Sequence, residues 1–375
     1  MNPIHQDKMN MFWMKVYFYS SIILPIVSGN KAKVLISPHI DNWNHEGEPL
    51  TSEDCPKSCD LLFGRLEPGK DGHFQTVDIQ ERGEPKSGTT FMYEWGVIAL
   101  KSSCEYLQRL YGEDTCKVVE NLEKRHTLFF HPDMVGEKDS PPCSCDNVTS
   151  VKIRISGMGK HGLPVENDCP WSHPGGLSEK EKHVCSPMDN GNQNKTTLWN
   201  CVNESSCPIV DDRLQFAVFR DPRAVTVSYY FWEKIHNNLT PEGRSVDKFV
   251  KDMLPTVTQW VSLRFLLFNR MIKKRSSIFW YNDALDDPNQ WHKQFMKFTG
   301  LNMPDKIVKD SADVSTGGSE PGKMGVNVHL GGGDAKLTRT YRDEVTPETL
   351  LMMDDVLRKW LPPFLLSRFD VDVSV

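Results

Sequence analysis

The chain has 375 residues, of which 38% are hydrophobic, and a formal net charge of −6 at pH 7. A chain of this length and composition can bury the core of one large domain, or of one domain with insertions. Its acidic balance lacks the basic surface that a nucleic-acid-binding protein needs, so composition disfavours nucleic acid as a partner.

The first 29 residues are predicted to be a signal peptide or an uncleaved signal-anchor. An apolar run at residues 16–27 follows Lys8 and Lys15 and ends at a small pair, Ser28-Gly29. The run is short for a membrane span and typical of a secretory signal, but it reaches anchor length if residues 11–14 are counted. A buried N-terminal strand is the alternative. Residues 30–72, polar and broken by Pro and Gly, are predicted to be a stem.

Two further features favour the secretory lumen. The chain has ten cysteines, an even number, which is typical of a disulfide-bearing secretory protein. It also has N-glycosylation acceptor sequences at Asn147, Asn194, Asn203 and Asn238.

The first strand and helix flank a short polar loop. Residues 74–79 alternate between apolar and polar side chains and predict a strand that leads into the loop at residues 84–90. After the loop, Phe91, Trp95 and Ile98 follow helical spacing, and Gly112 is placed to end the helix.

The loop has the composition of an anion-binding site. A loop of small residues that opens a helix presents unpaired backbone N–H groups at the positive end of the helix dipole. Gly88 is one of these small residues, Lys86 adds a cation, and Ser87, Thr89 and Thr90 add hydroxyl donors. The sequence therefore predicts that a phosphate group binds here.

This loop is close to the nucleotide-binding P-loop but differs from it in the lysine. Gly83 and Gly88 have P-loop spacing, yet position 89 is Thr where a P-loop has Lys. The lysine of this loop, Lys86, lies two residues before Gly88 and can therefore lie against a single phosphate and its leaving-group bond.

The stretch PKSGTT at residues 85–90, followed by an aromatic residue, resembles the phosphosulfate loop of sulfotransferases that use 3′-phosphoadenosine 5′-phosphosulfate (PAPS). Phe91 stands where that family usually has Trp. The resemblance implies that Lys86 and the residues up to Thr90 hold the 5′-phosphate of PAPS.

A second strand-to-helix junction lies in the middle of the chain. Residues 214–219 read as a buried strand, and Asp221 and Pro222 are suited to the N-cap and the first position of a helix. In the family that the loop resembles, a strand ending in Arg and a helix reading V-S-Y-Y bind the 3′-phosphate. The resemblance assigns that role to Arg220 and to Ser228, eight residues further on.

Residues 132–211 are predicted to be a cysteine-rich insertion, because they show weak periodicity among many Pro, Gly, Asn and Ser residues. Disulfides are expected to hold this insertion. Cys143-Ser144-Cys145 suggests a metal only weakly, since no matching pair accompanies it. Residues 151–155 alternate and predict a strand inside the insertion.

Sulfuryl transfer to a hydroxyl needs a general base that takes the proton of the acceptor. The resemblance places this base at His161, in a K-H-G-L-P context after the strand at residues 151–155. His131 is the rival, and some lumenal members of the family use a carboxylate.

The remaining elements follow from periodicity. We expect a helix over residues 249–274, a strand over 277–281, an acidic turn over 283–287, a helix over 291–298, and a closing helix over 350–365 that is interrupted by two prolines.

The C-terminal part departs from the family at one place. The family has an R-K-G-x-x-G loop that closes over the nucleotide, and this chain has a glycine-rich stretch at residues 331–339 with Lys336 and Arg339 instead. That stretch is either a phosphate clamp or a mobile turn. Residues 341–348 are similar to the segment that follows the loop in the family.

The alternation of strands and helices predicts an α/β fold with a central, mainly parallel sheet flanked by helices. The resemblance implies a P-loop-like sulfotransferase domain over residues 73–375. It also implies an enzyme that uses PAPS, without a metal, to sulfate a hydroxyl or amine. The secretory features favour a Golgi-type enzyme that acts on a glycan. Protein tyrosine or a lipid or steroid alcohol are other acceptors. The alternatives are a P-loop kinase or NTPase and a secreted nucleotide-binding protein without activity.

Overall fold

The computed structural model describes residues 67–68, 74–83, 86–120, 125–131, 150–156, 213–236, 245–271, 276–315 and 341–372. The predicted leader at residues 1–29 lies outside these ranges, as does the predicted stem except for residues 67–68. Within the ranges, no helix combines the length and the apolar character that a membrane crossing requires.

Strands and helices alternate along the described chain. The strands are β1 Glu67–Pro68, β2 Phe74–Gly83, β3 Cys116–Glu120, β4 Arg125–Phe130, β5 Ser150–Ser156, β6 Leu214–Phe219 and β7 Ser276–Trp280. The α-helices are α1 Thr89–Tyr111, α2 Pro222–His236, α3 Val246–Met271, α4 Tyr281–Asp286, α5 Pro288–Thr299, α6 Asp305–Ser315, α7 Pro347–Trp360 and α8 Pro363–Arg368.

All of these strands belong to one sheet. Its order is β3-β4-β5-β2-β6-β7, with the short β1 paired to β2. β5, β2, β6 and β7 run parallel, whereas β4 is antiparallel to both β3 and β5. The predicted α/β fold with a mainly parallel central sheet is confirmed.

The position of β2 determines where a ligand can bind. β5 pairs with one side of β2, and β6, which comes later in the chain, pairs with its other side. The strand order therefore reverses at β2. In open parallel sheets, ligands bind outside the carboxyl ends of the strands at such a reversal. The loop after Gly83 lies at this place.

The apolar run at residues 216–219 of β6 follows from burial of the sheet on both faces. Phe216 and Val218 belong to the apolar cluster that includes the inner face of α1. Ala217 and Phe219 point the other way, into a cluster built from α3, α7 and α8. Period-2 alternation therefore divides one strand between two cores.

A disulfide joins Cys104 in α1 to Cys116 at the start of β3. The helical spacing of Cys104 predicts only a buried position on α1. The sequence therefore does not predict this disulfide. The bond ties α1 to the edge strand of the sheet. Of the predicted insertion at residues 132–211 the structure describes only Ser150–Ser156, so the rest of the insertion, with its six cysteines, lies outside the described residues.

The acidic turn expected at residues 283–287 is wrong over most of its length. Tyr281–Asp286 forms the short helix α4 directly after β7. Only Asp287 has the role of a turn residue, because its side chain accepts the backbone N–H of Gln290 at 2.9 Å and caps α5. Aspartates in a first helical turn or at a cap are as compatible with a helix as with a turn, and composition alone does not separate the two.

Candidate active site

The loop between β2 and α1 forms an open helix N-terminus. Gly88 is the N-cap residue and has no side chain with which to cap the helix. The hydrogen bond from the Met92 N–H to the Gly88 carbonyl, at 2.9 Å, belongs to the first helical turn. The first backbone N–H groups of an α-helix have no acceptor within the helix, so this N-terminus suits an anion. Glu84 and Pro85 lie outside the described residues.

Two residues of the loop adopt left-handed backbone conformations. Gly88 has φ 101°, which glycine tolerates, but Lys86 has φ 70°, which is uncommon for a residue with a side chain. The Lys86 carbonyl accepts a hydrogen bond from Nη1 of Arg220 at 3.2 Å. Arg220 thus helps to hold Lys86 in a conformation that costs backbone energy.

Gly88 is also required by the close approach of Tyr281. A Cβ atom at position 88 would lie 2.3 Å from Cδ2 of Tyr281, well inside van der Waals contact. The Tyr281 ring also packs edge-on against Phe91, with ring centroids 5.5 Å apart. Tyr281 therefore braces the loop from the end of β7.

We expect Gly88→Ala to lower the free energy of unfolding by about 2–3 kcal/mol, because it adds backbone strain and a clash with the Tyr281 ring. Urea unfolding measures this loss. In the Gly88→Ala background, Tyr281→Ala should recover part of it.

Gly112→Ala is the matched control at the other end of α1. Gly112 also has a positive φ, 108°, but its added Cβ would meet only Cγ2 of Thr115, at 3.9 Å. Tyr281→Ala should not rescue this variant. Additive effects of Gly88→Ala and Tyr281→Ala would show that the ring does not brace the loop.

Lys86 and Arg220 are brought together although they lie 134 residues apart in the chain. The pairing of Gly83 with Val218 places the ends of β2 and β6 side by side. Burial, and secondarily the Arg220 guanidinium, lowers the pKa of the Lys86 ammonium from 10.5 to about 8. Among the described residues, neither cation has a carboxylate within ion-pair distance. Two adjacent cations without such a partner favour binding of an anion.

Tyr281 is a site residue that the sequence did not predict. The Arg220 guanidinium lies 4.5 Å from the centroid of the Tyr281 ring. The register between β6 and β7, which pairs Phe219 with Trp280, places the next residues of the two strands next to each other. Burial lowers the pKa of Arg220, while Tyr281 and Asp221 act in the opposite direction. Only the strand pairing, which is not local in sequence, could have revealed this contact.

Ser228 lies on the side of α2 that faces the loop. Ala224, Ser228 and Trp232 are spaced by four residues and are partly exposed, whereas the other residues from Val225 to Tyr230 are buried. Residues with this spacing share one face of a helix. The Lys86 ammonium lies 5.8 Å from the centroid of the Trp232 ring, on the same face. Ser228 therefore lies on the same face of α2 as the Trp232 ring that the Lys86 ammonium approaches.

Of the two candidate bases, the structure describes His131. His161 and residues 331–339 lie outside the described residues. His131 follows the last residue of β4, and its Nδ1 bonds the hydroxyl of Ser150 at the first residue of β5, 2.6 Å away. The loop follows the end of β2, and β5 runs parallel to β2, so the start of β5 lies at the opposite end of the strands from the loop. This position argues against His131 as the base.

His126 lies at the same end of the strands as the loop, because it pairs with Ile155 near the end of β5. It is buried, and its Nδ1 bonds the hydroxyl of Tyr93 in α1 at 2.8 Å. Burial, and then Lys101, lowers its pKa to about 4. His126 is therefore neutral at physiological pH. The sequence did not single it out, because a histidine in an alternating strand carries no functional signal.

Within the part of the chain that the structure describes, no group of three or more His, Cys, Asp or Glu side chains is placed to hold a metal ion.

The chain matches no known protein-family profile and no curated protein sequence. Among solved structures it is similar to mouse sulfotransferase SULT7A1 complexed with PAP, with 12% identity, a TM-score of 0.40, and coverage of 83% of this chain and 91% of that one. It is also similar to retinol dehydratase in complex with androsterone and inactive cofactor PAP, with 10% identity, a TM-score of 0.36, and coverage of 75% and 79%. These identities and TM-scores are too low to assign a function.

Proposed function

We propose that the chain is a sulfotransferase that moves a sulfuryl group from PAPS to a hydroxyl or amine acceptor. The observation that supports this most is the meeting of Lys86 and Arg220 at the open N-terminus of α1. Two separate strand-to-helix junctions supply these cations, and a nucleotide with phosphates at both its 3′ and 5′ positions needs two anion sites close together.

The two parts of the site have different tasks. The backbone N–H groups at the start of α1 and the side chains of Lys86, Ser87, Thr89 and Thr90 hold the 5′-phosphate. Arg220 and Ser228 hold the 3′-phosphate. The planar guanidinium of Arg220 suits a phosphate, since it can donate two parallel hydrogen bonds.

The reaction is an in-line displacement at sulfur. The acceptor oxygen forms a bond to sulfur while the bond from sulfur to the bridging phosphate oxygen breaks. The acceptor proton goes to a base, for which His161 is the candidate. The Lys86 ammonium stabilises the negative charge that develops on the bridging oxygen, and positioning and charge stabilisation do most of the catalysis, as in phosphoryl transfer.

A glycan in the Golgi lumen is the proposed acceptor and compartment, with the chain held there by its N-terminal anchor or released from it by cleavage. The apolar run at residues 16–27 and the four glycosylation sequences support a secretory route. The disulfide between Cys104 and Cys116 also supports it, because disulfides persist in oxidising compartments.

Isothermal titration of the full chain with 3′-phosphoadenosine 5′-phosphate (PAP) tests the donor site. The chain is produced in a eukaryotic secretory host, and no metal is added. We expect micromolar binding that Arg220→Ala weakens by about 2 kcal/mol, the scale of a lost charge-assisted contact. Arg342→Ala, an exposed arginine outside the site, is the control. Absence of binding, or binding that requires Mg²⁺, would contradict the proposal.

The affinity for PAP is expected to fall as the pH rises above 8. The Lys86 ammonium has a pKa of about 8 in the free protein. A bound phosphate raises that pKa, so binding takes up a proton once the free lysine is neutral. The affinity should then fall by up to about tenfold per pH unit, until the pKa of the complex is reached. Titration calorimetry at pH 7, 8 and 9 measures the decrease.

Lys86→Arg is the control for this pH dependence, because a guanidinium stays protonated throughout the range. Its affinity should change little between pH 7 and pH 9. Equal slopes for the wild type and Lys86→Arg would mean that another group causes the dependence.

A further inference from the structure

Arg223, in the first turn of α2, connects three separate parts of the chain. Its guanidinium donates to both carboxylate oxygens of Asp221, from Nε at 3.0 and 3.1 Å and from Nη2 at 2.7 Å. Nη1 donates to Oδ1 of Asp354 in α7 at 2.6 Å, and Nη2 also donates to the backbone carbonyl of Phe369, directly after α8. Arg223 is only 3% exposed.

These contacts start next to Arg220. Asp221 is the next residue in the chain, and its carboxylate also accepts the backbone N–H of Arg223 at 2.8 Å. Asp221 is therefore held from two directions, by the start of α2 and by the guanidinium. While these hydrogen bonds to Asp221 are formed, the backbone at Arg220 has little freedom to rotate.

The C-terminal segment, residues 341–372, holds the Arg223 guanidinium in place. Asp354, Phe369 and the Tyr341 ring, whose centroid lies 5.0 Å from the Arg223 guanidinium, all come from residues 341–372. Without them, Arg223 would have Asp221 as its remaining carboxylate partner among these contacts. The position of Arg220 thus depends on how the C-terminal helices pack.

We infer that Arg223 is a positioning residue for the nucleotide site, through which the C-terminal segment holds Arg220 in place for the 3′-phosphate. This inference rests on the proposed function. Arg220 has to reach the Lys86 carbonyl and the Tyr281 ring at once, so a small rotation at Asp221 would cost it one of these contacts. A lysine at position 223 cannot replace the fork, since an ammonium does not make planar, bidentate hydrogen bonds.

The test is PAP binding by the full chain and five variants, one of them a double variant, measured by titration calorimetry at a temperature where circular dichroism shows each of them folded. Arg223→Lys should weaken binding about tenfold, and Asp354→Asn, which removes one C-terminal support, about threefold. Arg342→Lys is the matched control, because Arg342 is exposed, its guanidinium lies 5.8 Å from the Tyr341 ring, and it does not touch Asp221. Its affinity should equal that of the wild type.

The decisive measurement is the effect of Arg223→Lys in the Arg220→Ala background. If Arg223 acts through Arg220, Arg223→Lys should weaken PAP binding by less than about twofold in the Arg220→Ala background. The Arg220 contact that Arg223 supports is already absent in that background. A role in stability alone would lower the melting temperature and leave the affinity of the folded variant unchanged. Additive losses of affinity would overturn the inference.

The outcomes separate this inference from the proposed function. If the wild type does not bind PAP, both fall. If the wild type binds and Arg220→Ala weakens it, but Arg223→Lys binds like the wild type, only the inference falls. Should Arg223→Lys fail to fold, Asp354→Asn decides, and an unchanged affinity of that variant would overturn the inference.

Discussion

Lys86→Met is expected to lower kcat for sulfuryl transfer by about 10²–10³-fold, the scale of losing one preorganised group that stabilises charge in a transition state. Methionine keeps an unbranched stem of similar length but has no charge, and, like lysine, it has an unbranched Cβ at this position of φ 70°. The loop should therefore keep its shape while the bridging oxygen loses its cation. The measurement is transfer of radiolabelled sulfate from PAPS to a mixed glycan acceptor.

Lys101→Met is the control for this experiment. Lys101 is a partly exposed lysine of the same helix, three turns away from the loop, and its loss should leave kcat within about twofold, as for a substitution outside the site. A Lys86→Met variant that keeps more than about a tenth of the wild-type kcat would show that Lys86 does not act on the leaving group.

The second large effect concerns stability at mildly acidic pH, where His292 should lower the free energy of unfolding as the pH falls. His292 in α5 is fully buried and stacks on Trp95 with ring centroids 5.3 Å apart. Its Nε2 bonds the hydroxyl of Ser315 at 2.7 Å, and its Nδ1 bonds that of Ser311 at 3.2 Å. Ser315 donates to the Ser311 carbonyl, so its hydroxyl oxygen accepts from the Nε2–H of His292.

The sign of the effect follows from proton binding. Burial lowers the pKa of His292 from 6.5 to about 3. Below pH 6.5 the unfolded chain therefore binds a proton at this histidine, whereas the folded protein binds it only below about pH 3. The free energy of unfolding therefore falls by about 1.4 kcal/mol per pH unit below pH 6, from this residue alone. His126, with a pKa of about 4, acts in the same direction.

Two carboxyl groups of α1 oppose this trend. Burial raises the pKa of Glu94 and of Glu105 from 4.5 to about 7, so the folded protein binds protons that the unfolded chain has released. Their contribution to stability increases as the pH falls from 7 towards 4.5. The profile of the wild type alone is therefore ambiguous, and a variant comparison is needed.

His292→Gln provides that comparison, since glutamine keeps a donor and an acceptor but does not titrate. We expect it to be less stable than the wild type at pH 7, because it loses the stacking on Trp95. The difference should shrink by about 1.4 kcal/mol per pH unit between pH 6 and pH 5 in urea unfolding. Parallel profiles would mean that His292 is not held neutral in the folded protein.

Much of the fold was predictable because its signals are local. The apolar run at residues 216–219 of β6, the alternation in β2 and the helical spacing of α1 depend on which faces are buried, and the structure confirms each of them. Gly88 at the start of α1 and Pro222 at the first position of α2 have the predicted places for the same reason. The resemblance of those two junctions to sulfotransferase motifs was enough to name Lys86, Ser87, Thr89, Thr90, Arg220 and Ser228 as candidates.

Only the tertiary structure decided which of these residues meet. The contact of Arg220 with Lys86 and Tyr281 depends on the order and register of three parallel strands, which no local pattern encodes. The same holds for the disulfide between Cys104 and Cys116 and for the contacts of Arg223 with the C-terminal segment. Sequence patterns report which side of an element is buried, whereas pairing between distant elements is selected by the packing of the whole chain. The sequence by itself thus determined the elements and the chemistry of the candidate residues, and the sheet topology decided their arrangement as one site.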